Sequence, residues 1–302
     1  MKKIIVVGSL NMDSVIETPH MPAPGETITG RSLTLVPGGK GANQAYAVGR
    51  LGGQGAMIGA VGNDENGQVL TKNLELVGMD TTGIAVLDDA LTGQAFITVD
   101  DKGENSIIIL AGANQCVTKE MVDEHVDLIK ESDIVILQFE IPLETVEYVK
   151  DLAISMGKTL VVDPAPARTD IPDEFWKGID YAKPNETELG ILSGRIIDSM
   201  ENLEAGANYL LDRGVKHVLV TLGKAGCYFA TKEEGKFFEG NKVETVDTTA
   251  AGDSFTGAFA VALSEGKSEA EAIQFAQKVS SIVVTKKGAQ TSIPTREEVE
   301  NR

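Results

Sequence analysis

Asp247-Thr248-Thr249-Ala250-Ala251-Gly252-Asp253-Ser254-Phe255-Thr256-Gly257-Ala258 places two acids around a run of small residues and leads directly into a long apolar helical pattern. Small residues let backbone N–H groups approach an anion closely. A helix start adds unpaired donors and the positive end of a dipole. An acid in that first turn would stand beside whatever anion binds there. Amides that hold a phosphoryl group, next to a carboxylate able to accept a hydroxyl proton, are the minimum machinery for phosphoryl transfer to a small molecule. The plainer reading of the same residues is an N-capped helix with Asp247 or Thr248 as the cap.

Outward from this stretch, short β-branched runs alternate with helical patterns, the mark of a sheet covered by helices. Strands are expected at 4–10, 56–61, 134–137, 159–162 and 217–221. Their near-continuous apolar character suits parallel strands buried on both faces. Helices are expected at 42–51, 67–77, 119–130, 143–156, 201–212, 254–263 and 269–286. Two stretches, 27–36 and 92–110, carry strand-like runs with no helix between them. Asp100-Asp101-Lys102-Gly103 reads as a hairpin turn inside the second. These pieces could form a small separate sheet, used as a flap over a cleft or as a dimer contact.

The chain has 302 residues, 42% of them apolar and 24% charged, enough for one large domain or two modest ones. The net charge of −18 argues against a nucleic-acid or membrane surface, which needs clustered Lys and Arg. An anionic substrate needs only local donors and stays open. The two cysteines, Cys116 and Cys227, lie outside any C-x-x-C, so neither a disulfide framework nor a structural zinc site is expected. The opening Met1-Lys2-Lys3-Ile4-Ile5-Val6-Val7 is too short for a signal-peptide core, and no apolar run reaches transmembrane length. A cytoplasmic protein is expected. The chain lacks G-x-x-x-x-G-K-[ST], H-E-x-x-H, G-x-S-x-G, and a G-x-G-x-x-G after a strand. ATP, if bound, would not sit on a Walker loop, and the nicotinamide-oxidoreductase reading lacks its fingerprint.

Five further motifs carry possible chemistry. Gly38-Gly39-Lys40-Gly41-Ala42-Asn43 opens a helix with amides and two polar side chains, or simply caps it. Asn11 and Asp13 follow the first strand, where open parallel sheets bind ligands, or form a polar turn. Glu140 follows the strand at 134–137, as a site residue or a solvated loop acid. Asn185 and Glu188 share one face of a helix start; they suit a hydrated Mg²⁺ or a capping box. Thr221-Leu222-Gly223-Lys224-Ala225-Gly226 turns from one strand to another and admits a flat base or a phosphate, or is a plain hairpin.

Taken in order along the chain, these motifs resemble the ribokinase family of carbohydrate kinases. The resemblance runs from Gly8-Ser9-Leu10-Asn11-Met12-Asp13 to Lys287-Gly288-Ala289-Gln290 and includes Asp163-Pro164-Ala165-Pro166-Ala167 and Pro184-Asn185-Glu186-Thr187-Glu188. It implies a three-layer α/β/α sandwich with a mainly parallel central sheet, a single domain over 1–302, and a small β-lid formed by about 14–36 and 91–112. It implies transfer of the γ-phosphoryl of ATP to the 5-hydroxyl of D-ribose. Asp253 would be the general base, and the amides around Ala250, Ala251, Gly252 and Asp253 the anion hole. Asn11, Asp13, Gly39, Lys40, Gly41, Asn43 and Glu140 would bind the sugar. Asn185, the turn at 221–226, Gly252 and Gln277 would lie at the nucleotide, with Glu188 near Mg²⁺ through water. Asp247, Thr249, Val283, Lys286, Gly288 and Ser292 would surround K⁺, several through carbonyls. A homodimer joined through the lids is the family's common form.

Two positions depart from the family pattern: Gln277 stands where His or Asn is common, and Asp163 where Asn is usual. The alternatives are a kinase of the same family for 2-deoxyribose, fructose or a nucleoside, and a non-catalytic sugar or nucleotide sensor. A phosphorylated sugar would call for more positive charge near the lid, where Arg31 is the one candidate besides Lys40.

Overall fold

Alternate side chains of the first strand enter two different cores, and this sets the layers. Ile4 and Val6 pack in one, Ile5 and Val7 in the other, all fully buried. A strand turns successive side chains to opposite faces, so a run that is apolar throughout demands cover on both.

The computed structural model describes residues 1–302. The first elements are β1 (Ile4–Val7), β2 (Asn11–Glu17), β3 (Ser32–Gly38), α1 (Lys40–Arg50), β4 (Gly55–Gly62), α2 (Glu65–Leu76) and β5 (Asp80–Leu87). There follow β6 (Gly93–Val99), β7 (Asn105–Leu110), α3 (Lys119–Glu124), α4 (Val126–Glu131), β8 (Ile134–Leu137), α5 (Leu143–Ser155), β9 (Thr159–Val162) and β10 (Tyr181–Ala182). The last part holds α6 (Glu186–Ser193), α7 (Met200–Asp212), β11 (His217–Thr221), β12 (Gly226–Ala230), β13 (Gly235–Glu239), α8 (Ala251–Ser264), α9 (Glu269–Val283) and α10 (Arg296–Glu300).

Nine strands form the main sheet in the order β13-β12-β11-β10-β9-β8-β1-β4-β5. It is parallel except where β12 and β13 fold back as an antiparallel edge. Helices α1, α8 and α9 supply one core, through Val48, Phe259 and Ile273; α5 and α7 supply the other, through Val149 and Leu210. The result is the expected three-layer sandwich. Strand β1 lies between β4, which follows it in sequence, and β8, which comes much later. That reversal of strand order opens a crevice at the carboxyl end of β1. Helix α8 is buried along almost its whole length. Its Gly257 lets it lie against α1, since a Cβ there would stand 2.7 Å from that of Ala47.

A second sheet of four strands, in the order β3-β2-β6-β7, stands apart from the first. Strands β2 and β6 are parallel, and β3 and β7 flank them antiparallel.

The structure corrects several expected boundaries. The strand expected at 4–10 stops at Val7, and Asn11 and Asp13 begin β2 in the second sheet rather than a polar turn. The chain crosses from one sheet to the other through Gly8-Ser9-Leu10, and buried Leu10 makes that crossing look like more strand. The helix expected at 119–130 breaks at His125, where φ −118° and ψ 20° lie outside the helical region. The strand-like run at 27–36 becomes ordered strand only from Ser32. Helix α1 starts two residues early, at Lys40, and α8 three residues early, at Ala251. Helix α9 ends at Val283, three residues short of the expected end. No helix is long and apolar enough to cross a membrane.

Candidate active site

Helix α8 begins at the crevice. Its N-cap is Ala250, with no side-chain cap, so neither Asp247 nor Thr248 takes the capping role the plainer reading gave them. Ala250 has φ 58° and ψ 10° and is the one non-glycine residue with positive φ in the chain. A left-handed alanine is sterically disfavoured and persists only where its surroundings hold it. The surroundings here are hydrogen bonds: Ala251 N donates to Thr248 O at 3.2 Å, and Ser254 N and Oγ donate to Ala250 O at 2.8 and 2.7 Å. The amides of Gly252 and Asp253, in the first turn, have no intrahelical acceptor.

Asp253 is buried, and both carboxylate oxygens are engaged. Asn43 Nδ2 donates to Oδ2 at 2.9 Å and Gln44 Nε2 to Oδ1 at 3.3 Å. Both donors belong to α1, so the helix that follows the glycine-rich loop fixes the acid that opens α8. The amide of Gln44 also donates to Asp163 Oδ2 at 2.8 Å, and its oxygen accepts from Gln138 Nε2 at 2.6 Å. Asn43 accepts from Gln290 Nε2 at 3.2 Å.

The start of α1 is held in turn by Glu140, which accepts from the Lys40 amide at 3.0 Å and from the Ser9 hydroxyl. Gly39, at φ 87°, turns the chain into α1 and passes close to β2; a Cβ there would come within 2.7 Å of Asn11 N. The charges of Asp253, Asp163, Glu140 and Glu188 act on the Lys40 ammonium without a direct ion pair. Burial works against its charge, but these four acids outweigh burial and hold its pKa above the ordinary lysine value. Asp13 is the opposite case. Burial, then the charges of Glu140 and Asp253, push its carboxyl up to about 7. Asn11 Oδ1 accepts from Asn114 Nδ2 at 2.7 Å, which leaves its own amide as a donor toward the crevice. Asn114 is itself fixed by the Leu10 backbone through both amide atoms.

A second group lies around the turn between β11 and β12. Asn185 and Glu188 cap α6 reciprocally, each accepting from the other's backbone N–H at 2.8 Å. The capping-box reading therefore holds for this pair. One oxygen of Glu188 is spent on the cap, and its charge still acts on Lys40 and Asp163. Asn185 bridges to Thr221, whose amide donates to Pro184 O at 3.0 Å. Gly223, Lys224 and Ala225 form one 3₁₀ turn closed by Leu222 N to Gly226 O at 2.9 Å. Gln277 donates to Phe238 O at 3.1 Å, beside the same hairpin.

Of the residues read as a cation cage, Asp247, Thr249 and Gly288 meet through the Asp247 carboxylate. Asp247 Oδ1 accepts from Thr249 N and Oγ1, and Oδ2 accepts from Gly288 N at 2.8 Å. The loop before α8 is thereby joined to the loop after α9. Burial pushes the Asp247 carboxyl up, but these hydrogen bonds outweigh it and hold its pKa below the ordinary value. The Val283 carbonyl accepts from Lys286 N at 3.0 Å, and Ser292 lies in the short turn that follows Gly288. Asp247 N also donates to Val284 O at 3.2 Å, so the carboxylate lies where the loop before α8 meets the end of α9. No group of three or more His, Cys, Asp or Glu side chains could hold a metal. A magnesium ion at Glu188 would thus need phosphate and water as further ligands, which suits its chemistry. Arg31 is paired with Asp101 within the second sheet.

Sequence reasoning missed Ser9, Gln44, Asn114, Gln138 and Lys183. The first four are ordinary polar residues whose role is set by partners far along the chain. Lys183 carried a readable signal, a lysine directly before Pro184-Asn185 at the end of a short buried strand.

The pfkB family of carbohydrate kinases matches residues 1–296. A ribokinase from Haemophilus influenzae is 42% identical over 297 residues, covering 98% of this chain and 97% of its own. The crystal structure of a ribokinase from Thermotoga maritima superposes with a TM-score of 0.91 at 44% identity, covering 100% of this chain and 99% of the other. The structure of an Arabidopsis thaliana ribokinase complexed with ribose and ATP gives a TM-score of 0.94 at 35% identity, covering 99% of this chain and 98% of the other.

Proposed function

This chain belongs to the pfkB family of carbohydrate kinases, and from that membership we propose that it transfers the γ-phosphoryl of ATP to the 5-hydroxyl of D-ribose, giving D-ribose 5-phosphate and ADP. The observation that carries the reading is Asp253. It is a buried acid at the first turn of α8, fixed from α1 by Asn43 and Gln44 and set beside unpaired amides. Full-length similarity to ribokinases, one of them holding ribose and ATP, supports the choice of substrates.

In this reading the sugar lies between Asn11, Asp13, Gly39, Gly41, Lys40, Asn43 and Glu140, with its reacting hydroxyl at Asp253. A carboxylate at a helix N-terminus is a weak base. It suffices, because in a loose transition state the hydroxyl gives up its proton late. The amides around Ala250 to Asp253, above all the free ones of Gly252 and Asp253, receive the charge of the transferred group, preorganised by the held geometry of Ala250. ATP lies along Asn185, the turn at 221–226 and Gln277. Glu188 would hold Mg²⁺ through water, and that ion would neutralise phosphate charge. Asp247, Thr249, Val283, Lys286, Gly288 and Ser292 would hold K⁺, which would supply a fixed positive charge beside the loop before α8.

The second sheet, with the segments 14–36 and 91–112, acts as a lid that excludes water from the reacting groups. Its outer strands are apolar and exposed: Leu33, Leu35 and the whole run from Ile107 to Leu110 are each more than half exposed. An apolar edge strand of this kind is a docking surface, and a second copy of the chain through the lids is its occupant. The protein works in the cytoplasm, without nucleic acid or membrane partners.

The test is ADP release with ATP, Mg²⁺ and K⁺ against D-ribose, 2-deoxyribose, fructose and a nucleoside, with the product identified by NMR. Ribose should have the highest kcat/KM and yield the 5-phosphate. Equal kcat/KM for ribose and 2-deoxyribose, or preference for another acceptor, would overturn the substrate assignment.

A further inference from the structure

We propose that Lys183 is a phosphoryl-binding residue, with its buried ammonium facing the group transferred at the start of α8 and Asp163 holding it there as a positioning residue. The proposal rests on the reading of that helix start as the phosphoryl site.

Strands β9 and β10 are parallel with Val162 opposite Ala182. Residues 163 and 183 therefore leave the sheet side by side at its carboxyl edge, and Lys183 N donates to Val162 O at 2.9 Å. Both side chains are buried, Lys183 to 5% exposure and Asp163 to 2%. Lys183 Nζ stands 3.3 Å from Asp163 Oδ1, its one charged partner. That oxygen has no well-formed hydrogen bond, and the other accepts from Gln44. An ammonium carries three donors, and this contact accounts for one at most.

The free side of the ammonium faces Gly252. A methyl group built on Gly252 would meet a single atom within 4 Å, Lys183 Nζ at 3.5 Å. The ammonium therefore stands beside Gly252, whose amide, like that of Asp253, has no intrahelical acceptor. A buried ion pair with poor hydrogen bonding contributes little to stability, since desolvation of both charges offsets their attraction. Burial pushes Asp163 up to about 6 although Lys183 and Lys40 pull it down, so the pair is not a well-solvated bridge. A compact ammonium is well matched to phosphate oxygens, and the transferred group spreads its charge over three of them. Asp163 also shares Gln44 with Asp253, so one amide registers the lysine's holder against the base.

The experiment compares the wild type with Lys183→Met, Asp163→Asn and the double variant. It measures melting temperature, kcat and KM for ribose, and dissociation constants for ATP and ADP by calorimetry without sugar. Lys183→Met alone leaves Asp163 unpaired and should melt early. The double variant removes both charges and should recover the melting temperature. Its kcat should still fall by about 100-fold, the scale seen when a donor to developing charge is removed. Its affinity for ATP should fall about tenfold or more and that for ADP less than about threefold, because only ATP carries the group that Lys183 faces. Asp163→Asn, which keeps the ammonium but loosens it, should fall between wild type and double variant in kcat. A double variant with wild-type kcat and an unchanged ratio of ATP to ADP affinity would overturn the proposal and leave the pair a structural bridge. The nucleotide arm needs no sugar. A wild type that phosphorylates no sugar would overturn the kinase reading, and the ATP-to-ADP ratio would still decide the role of Lys183.

Discussion

Asp253 and Asp13 are two acids of one crevice in opposite circumstances. Asp253 has a donor on each oxygen. Asp253→Asn keeps volume and most contacts, so it should leave KM for ribose and ATP within a few-fold while lowering kcat by about 10²–10⁴. Steady-state rates decide it, and a variant with most of its kcat intact would remove Asp253 from the chemistry. Asp13 has its carboxyl at about 7, raised first by burial and then by Glu140 and Asp253. As a carboxylate it can accept two sugar hydroxyls; protonated, it loses that capacity. KM for ribose should therefore rise as pH falls through 7, and Asp13→Asn should show a high KM that no longer varies between pH 6 and 8. The stability sign is the reverse. A folded pKa above the unfolded value of 3.8 means that this group favours folding most below about pH 4 and loses that contribution as pH rises to about 7. Asp13→Asn should thus stabilise the sugar-free protein by about 1–3 kcal/mol at pH 8 and by little at pH 4. Urea unfolding at both values measures it, and equal effects at both would mean that Asp13 is ionised throughout.

Two helix starts make the site, and each is fixed by something other than its own sequence. Helix α1 has no side-chain cap; Glu140, from beyond β8, accepts its first amide. Helix α8 begins on a left-handed alanine, and the loop before it is joined by Asp247 to Gly288 beyond α9. That junction is where K⁺ would act, without touching either substrate. Ribose phosphorylation at fixed ionic strength should be fastest in K⁺, slower in Na⁺ and slowest in choline, with the change mainly in kcat, because ordering donors ahead of the reaction lowers the barrier rather than tightening sugar binding. Identical rates in all three salts would mean that the Asp247–Gly288 contact alone orders the loop.

Across the whole molecule, the second sheet is the least self-sufficient part. Directly paired residues share a face of a sheet, so Asp13, Ala95 and Ile109 lie on one side, and Leu35, Ser14, Phe96 and Ile108 on the other. The first side carries the candidate sugar ligands and exposes Ile107 and Ile109; the second exposes Leu33, Leu35, Ile108 and Leu110. A homodimer joined through this second side should appear by light scattering at micromolar concentration. Leu35→Lys with Ile108→Lys should yield monomers and raise KM for ribose, since an unsupported lid closes less readily. A wild type that is monomeric, or a charged variant that stays dimeric, would place the contact elsewhere or nowhere.

The sequence by itself determined what short-range pattern can encode. Runs such as Ile4–Val7 and Ile134–Leu137, apolar on both faces, called for a covered parallel sheet, and the small residues before Asp253 called for an open helix start. Those signals depend on neighbours within a turn or two. The second sheet was half legible: its hairpin was readable at Asp100-Asp101-Lys102-Gly103, but the start of β2 was hidden because buried Leu10 continues the apolar run past the point where the chain changes sheets. Only the tertiary structure decided which side chains meet. Asn43 and Gln44 reach Asp253 across more than 200 residues, and Asn114 reaches Asn11 across 103. Asp163 and Lys183 become neighbours because β9 and β10 pair in one register, and Asp13 acquires its high pKa because β2 brings it to Glu140 and Asp253. The physical reason is common to all of these. Periodicity specifies which face of an element is buried, whereas the distance between two polar side chains follows from strand order, and that order is settled by packing of the whole chain.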